Sequence, residues 1–208
     1  MVIAFLGDSL TEGRPGAAYF PLLQKRLPRH ELLNLGRAGD AVADLLRRVT
    51  HRGLDPVDLA FIWVGVNDAV LGAWDAAGDG AGSGWGRADR LARIRGDYQT
   101  LVEWTAARAS RMVCVRPIVL EADGSVWQEH ADELGDVIAS VAGAGDGAHV
   151  LDLRPAFAAA KDAGGGPFTT DGVHFTDAGA AVIAAAFAAV IEGMDRGEMD
   201  ATETGGWR

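Results

Sequence analysis

The chain has 208 residues, 49% of them hydrophobic, and a formal net charge of −10. This length fits one domain that buries about 70% of the surface its unfolded chain exposes, and the apolar fraction excludes global disorder. The acidic balance argues against nucleic acid or anionic lipid as a partner, and leaves neutral esters and sugars open. One cysteine, Cys114, cannot form an internal disulfide. No apolar run reads as the roughly 18 residues of a membrane span. No basic and apolar signal precedes the first strand, so the chain as given reads as cytoplasmic. A signal peptide removed beforehand would leave no trace.

In chain order, Val2–Leu6 is a continuous apolar run, as expected of a strand buried on both faces. Ala17–Leu27 is amphipathic at its start, with Pro21 near the first turn. Glu31–Leu35 reads as the second strand and Ala41–His51 as a helix; Val57–Val64 is the third strand. Ala88–Ser110 has helical spacing, with Leu91, Ile94, Tyr98, Leu101, Val102 and Trp104 on one side. Met112–Arg116 is the fourth strand, Val126–Val141 a helix, His149–Leu153 the fifth strand and Thr176–Ile191 a final Ala-rich helix. This alternation predicts an α/β fold: a flavodoxin-like three-layer α/β/α arrangement around a five-stranded parallel sheet.

Two stretches fall outside the pattern. Gly72–Gly86 (GAWDAAGDGAGSGWG) reads as a Gly-rich insertion, either a lid whose Trp74 and Trp85 line a pocket or a tolerated surface loop. Gly193–Arg208 is polar and aperiodic, as expected of a flexible tail. Residues 1–192 therefore read as a single domain.

The first strand delivers Gly7-Asp8-Ser9-Leu10, placing Ser9 at the mouth of the sheet, where ligands sit in open α/β folds. A serine there is equally a turn or N-cap residue unless a base, an orienting acid and oxyanion donors accompany it. After the second strand comes Gly36-Arg37-Ala38-Gly39-Asp40, whose glycines allow close backbone approach. After the third comes Gly65-Val66-Asn67-Asp68, where the Asn67 amide is either an oxyanion donor or an Asx-turn cap. Asp171-Gly172-Val173-His174 spaces a carboxylate three residues before an imidazole, close enough to reach Nδ1 and leave Nε2 for a serine proton. His30, His51, His130 and His149 lack the paired spacing of a metal site, and no P-loop or Gly-x-Ser-x-Gly elbow is present.

These four segments, in this order, resemble the SGNH/GDSL esterase-lipase family over residues 2 to about 190. The resemblance implies a serine esterase without cofactor or metal. Ser9 would be the nucleophile, His174 the base and Asp171 its orienting acid. The oxyanion hole would be the Ser9 and Gly39 backbone N–H groups and the Asn67 side chain; Gly39, directly before Asp40, matches the family glycine better than Gly36. Many members carry Pro after the His, where this chain has Phe175. Asp8, Trp74, Trp85 and Arg116 are candidate substrate-binding residues, although for Arg116 pairing with an acid on the rim is the preferred reading. The expected substrate is a small or medium acyl ester, carbohydrate acetyl esters among them. The rival readings are an acyltransferase with the same triad and a non-catalytic binding module on the same fold.

Overall fold

The computed structural model describes residues 1–77, 86–120, 125–144 and 148–198. Five strands, β1 (Val2–Gly7), β2 (Glu31–Gly36), β3 (Val57–Trp63), β4 (Ala109–Val115) and β5 (Ala148–Leu151), form one parallel sheet in the order β2-β1-β3-β4-β5. This is the flavodoxin-like order expected from the alternation of elements. Eight helices are described: α1 (Ser9–Glu12), α2 (Phe20–Arg26), α3 (Val42–Arg52), α4 (Val66–Ala77), α5 (Arg87–Ala106), α6 (Val126–Ala144), α7 (Arg154–Asp162) and α8 (Asp177–Asp195).

The central strands are apolar over their buried stretches because alternate residues face different layers, both of them covered. Ile3 and Phe5 of β1, Phe61 and Trp63 of β3, and Val113 and Val115 of β4 join Leu23 of α2 and Phe187 of α8 in one core. Ala4 and Leu6, Ala60 and Ile62, and Met112 and Cys114 join Leu45 and Val49 of α3 and Tyr98 and Leu101 of α5 in the other. The three-layer expectation therefore holds. Phe5 and Phe61 stack with ring centroids 4.9 Å apart, and Phe187 closes on both.

Several elements differ from the sequence reading. The helical pattern assigned to Ala109–Ser110 gives way to β4, which starts at Ala109. Helix α4 continues through the first part of the Gly-rich stretch to Ala77; residues 78–85 lie outside the described residues. Helix α8 runs past the expected start of the tail to Asp195, because Gly193 and Met194 are buried in the core. By length and apolarity alone α8 would suffice to cross a membrane, contrary to the sequence reading, with a mean hydropathy of 1.6. In this fold Ile183, Phe187 and Ile191 lie fully buried in the core.

The strand order reverses between β1 and β3, so the crevice beyond their carboxyl ends is the topological switch point. Gly7 is in register with Gly36 on one side and Trp63 on the other. A Cβ on Gly36 would lie 2.2 Å from the Glu12 nitrogen, so its absence lets α1 sit directly against the end of β2. The Asn34 side chain donates to the Thr11 carbonyl at 2.8 Å, and the Glu12 carboxylate accepts from Ala38 N–H at 2.7 Å. The short helix carrying Ser9 is thereby fixed to the neighbouring strand.

Candidate active site

Ser9 is the first residue of α1. Asp8 caps that helix, its Oδ1 accepting from Leu10 N–H at 3.0 Å and its carbonyl from Glu12 N–H at 2.9 Å. The Ser9 N–H is one of the helix-initial donors with no partner inside the helix, and no protein group accepts from it among the described residues.

The chain returns to this point 165 residues later. Ser9 Oγ lies 3.3 Å from His174 Nε2, and His174 Nδ1 lies 2.7 Å from Asp171 Oδ2. The other Asp171 oxygen accepts from the backbone N–H groups of Val173 (3.0 Å) and His174 (2.7 Å), folding the loop around the carboxylate. Burial pushes the Asp171 carboxyl up, but the His174 ring and these two N–H donors outweigh it and hold it below the usual carboxylate range. Thr170 N–H donates to His174 carbonyl at 2.8 Å, and Leu120 N–H donates to Gly172 carbonyl at 2.9 Å. Ala17 N–H donates to Phe175 carbonyl at 2.8 Å, so the histidine loop is tied to the segment that follows α1.

On the other side of Ser9, Asn67 stands in the first turn of α4 and donates through Nδ2 to the Asp40 carbonyl at 2.9 Å. One amide hydrogen is so engaged and the second remains available. Gly39 has a φ of +82°, is exposed, and has open space where a Cβ would stand; no protein group accepts from its N–H among the described residues. Gly36, by contrast, is the close-approach glycine beneath α1.

The remaining candidates are placed differently. Asp8 is 1% exposed and spends its carboxylate on the α1 cap, so it offers substrate no accessible surface; its role is local structure. The Arg116 side chain packs on α6, pairing with Asp136 at 2.7 Å and lying against Gly135. The side chains of Trp74 and Trp85 lie outside the described residues.

The sequence reading missed two features of this site. The first is the coupling of two carboxyls, the buried Asp8 and the half-buried Asp68. Burial pushes Asp8 up to about 7, against the Leu10 N–H and with the Asp68 and Asp40 charges. Burial likewise pushes Asp68 up to about 7, although its Oδ2 accepts from Val42 N–H at 3.0 Å. The second is Arg48, whose Nε donates to Asp40 Oδ2 at 2.7 Å and whose Nη2 donates to the carbonyls of Leu35 (2.9 Å) and Gly7 (3.2 Å). The available signal was its position: it follows Leu45 by three residues and precedes Val49, on the side of α3 that faces the sheet. No group of three or more metal-ligating side chains occurs among the described residues.

The sequence of residues 5–182 matches the GDSL-like lipase/acylhydrolase family. No curated protein matches the chain. Among solved structures, an acetyl xylan esterase, AlAXEase, superposes with a TM-score of 0.73 at 23% identity, over 92% of this chain and all of that one. LAE5, an α/β hydrolase enzyme from the metagenome of Lake Arreo, Spain, gives 0.74 at 25% identity, over 92% and 94% of the two chains. Axe2, an acetylxylan esterase from Geobacillus stearothermophilus, gives 0.70 at 21% identity, over 89% and 91%.

Proposed function

The chain belongs to the GDSL-like lipase/acylhydrolase family and is a carboxylic-ester hydrolase, and on that premise we propose that Ser9, His174 and Asp171 are its catalytic triad. The observation that carries this reading is the continuous contact from Ser9 Oγ to His174 Nε2 and from His174 Nδ1 to Asp171, at the switch point of the sheet. His174 Nε2 takes the Ser9 proton as Oγ attacks the ester carbonyl carbon. Asp171 fixes the tautomer and stabilises the imidazolium that forms. The negative oxygen of the tetrahedral intermediate rests against the Ser9 N–H, the Gly39 N–H and the second Asn67 amide hydrogen. As the intermediate collapses, His174 gives its proton to the leaving alcohol. Water then enters by the same base, and acid and Ser9 are released.

The substrate we propose is a short acyl ester of a carbohydrate, an acetylated xylooligosaccharide being the type. Two observations support it. Two of the neighbours described above are acetyl xylan esterases. The connections around Ser9 are also minimal: Asp8 alone separates β1 from α1, and Val64-Gly65 alone separate β3 from α4. Neither connection builds a wall for a long acyl chain.

The test is hydrolysis of p-nitrophenyl esters from acetate to laurate, and of acetylated xylooligosaccharide, by wild type and Ser9→Ala. The expected result is a preference for acetate that vanishes in the variant. A fully active Ser9→Ala overturns the serine mechanism, and a preference for laurate overturns the short-acyl substrate.

A further inference from the structure

All three proposed oxyanion donors lead back to one side chain. Arg48 binds the Gly7 carbonyl, two residues before Ser9, and the Leu35 carbonyl at the end of β2. It also binds the Asp40 carboxylate, and Asp40 is the residue that follows Gly39. The Asp40 carbonyl in turn holds the Asn67 amide at 2.9 Å. Both partners are largely shielded, with side-chain exposures of 16% for Arg48 and 7% for Asp40. The guanidinium meets three acceptors on three different segments with its planar fork, a geometry that an ammonium cannot reproduce.

We propose that Arg48 is a positioning residue that sets the oxyanion hole, acting through Asp40 on Gly39 and Asn67 and through the Gly7 carbonyl on Ser9. This rests on the reading of those donors given above. The physical argument is one of tolerance. An oxyanion donor works only if it is already aimed at where the charge develops. Gly39 lies in an exposed loop at positive φ, with open space around its α-carbon, so side-chain packing does not hold it. Its aim is inherited from Asp40, which is buried and clamped by Arg48. Asn67 is similarly aimed by the Asp40 carbonyl. Releasing Arg48 frees the Asp40 side chain, leaves a buried carboxylate unpaired and lets both donors drift. The contacts from Ser9 Oγ to His174 and from His174 to Asp171 do not include Arg48 or Asp40.

The test compares Arg48→Met and Arg48→Lys with wild type on p-nitrophenyl acetate, with Arg47→Met as control because Arg47 is exposed on the same helix and pairs with Asp44. For folded Arg48→Met the expected kcat falls by about 10- to 100-fold, less than or comparable to losing one donor outright, while KM changes by less than about threefold. Arg48→Lys, which restores the charge without the fork, recovers part of the loss. An alkylboronic acid that mimics the tetrahedral adduct weakens in parallel with kcat/KM. Arg47→Met stays at the wild-type level. Folded Arg48→Met with wild-type kcat, or a loss confined to KM, overturns the proposal. If Arg48→Met does not fold, Asp40→Asn decides by the same criteria. Inactive wild type, or active Ser9→Ala, sinks the esterase mechanism itself and is read separately from these outcomes.

Discussion

Phe175 stacks on Trp63, with ring centroids 6.0 Å apart and planes inclined by 28°. The contact joins the residue after the candidate base to the last residue of the central strand. Phe175 also stacks on Phe157 at 5.8 Å and is only 3% exposed. Where relatives carry Pro beside the histidine, this chain anchors the loop by aromatic packing. Phe175→Ala is expected to destabilise the fold by about 3–5 kcal/mol through the cavity it opens. It also loosens His174, so kcat should fall even at temperatures where the variant is fully folded. Urea unfolding and initial rates on p-nitrophenyl acetate measure the two effects separately.

The proposed relay and oxyanion hole predict a graded series. Ser9→Ala and His174→Ala should each lower kcat by about 10⁴- to 10⁶-fold. Asp171→Asn should cost up to about 10⁴-fold, by allowing the wrong imidazole tautomer. Asn67→Ala should cost about 10²- to 10³-fold, as for loss of a single oxyanion donor. Single-turnover kinetics on the acetate ester check the order; Asn67→Ala with wild-type kcat would remove that side chain from the hole.

Two glycines three residues apart should respond in opposite ways. At Gly36 a Cβ would meet the Glu12 nitrogen at 2.2 Å and the Thr11 carbonyl carbon at 2.6 Å, both backbone atoms that cannot yield. Gly36→Ala is expected to abolish folding or to displace α1 and Ser9 with it. At Gly39 a Cβ meets nothing within 4 Å, and the penalty is the positive φ alone, about 1–2 kcal/mol. Gly39→Ala should fold with a slightly lower Tm. Circular dichroism melts of the two variants test the contrast.

Asp8, buried, and Asp68, half-buried, predict a pH dependence. Asp8 and Asp68 have ordinary values of 3.8 and titrate near 7 in the folded protein. Between those values the folded state keeps protons that the unfolded chain has released, so stability falls as pH rises. Their contribution is complete below about pH 4 and lost as pH passes through about 7. Asp171, held low by His174, acts oppositely and only at acid pH, where its stabilising contribution is lost as its carboxylate is protonated. Tm should therefore decline from pH 5 to 8, and Asp8→Asn should flatten the decline while leaving the Leu10 cap acceptor in place. A Tm that rises over this range, or an unchanged slope in Asp8→Asn, contradicts the assignment.

The sheet was legible because its central strands are covered on both faces. Val57–Val64 and Val2–Leu6 can only be read as apolar runs, and their alternation with helices fixes the topology class. The Asp171–His174 pair was legible because both groups lie in one loop at a spacing that lets them touch. What stayed hidden had weaker local signals. Helix α7 anchors to the core chiefly through Phe157, too little for a periodicity. Helix α4 enters a stretch whose glycines read as loop. The start of β4 is masked by Ser110 and Arg111, polar residues at the sheet's margin. Arg48 was hidden for a different reason: its three acceptors, Gly7, Leu35 and Asp40, converge only once β1, β2 and the loop before α3 are assembled. A charged residue on a core-facing helix side signals a partner without naming it.

The proposed nucleophile and base lie 165 residues apart in sequence, Ser9 in the first turn after β1 and His174 just before α8. During synthesis the serine must wait for a histidine made 165 residues later. A product that ends before His174 lacks the proposed base. On that reading ester turnover begins only when the closing segment docks, and termination before His174 leaves a silent protein rather than a partly active one.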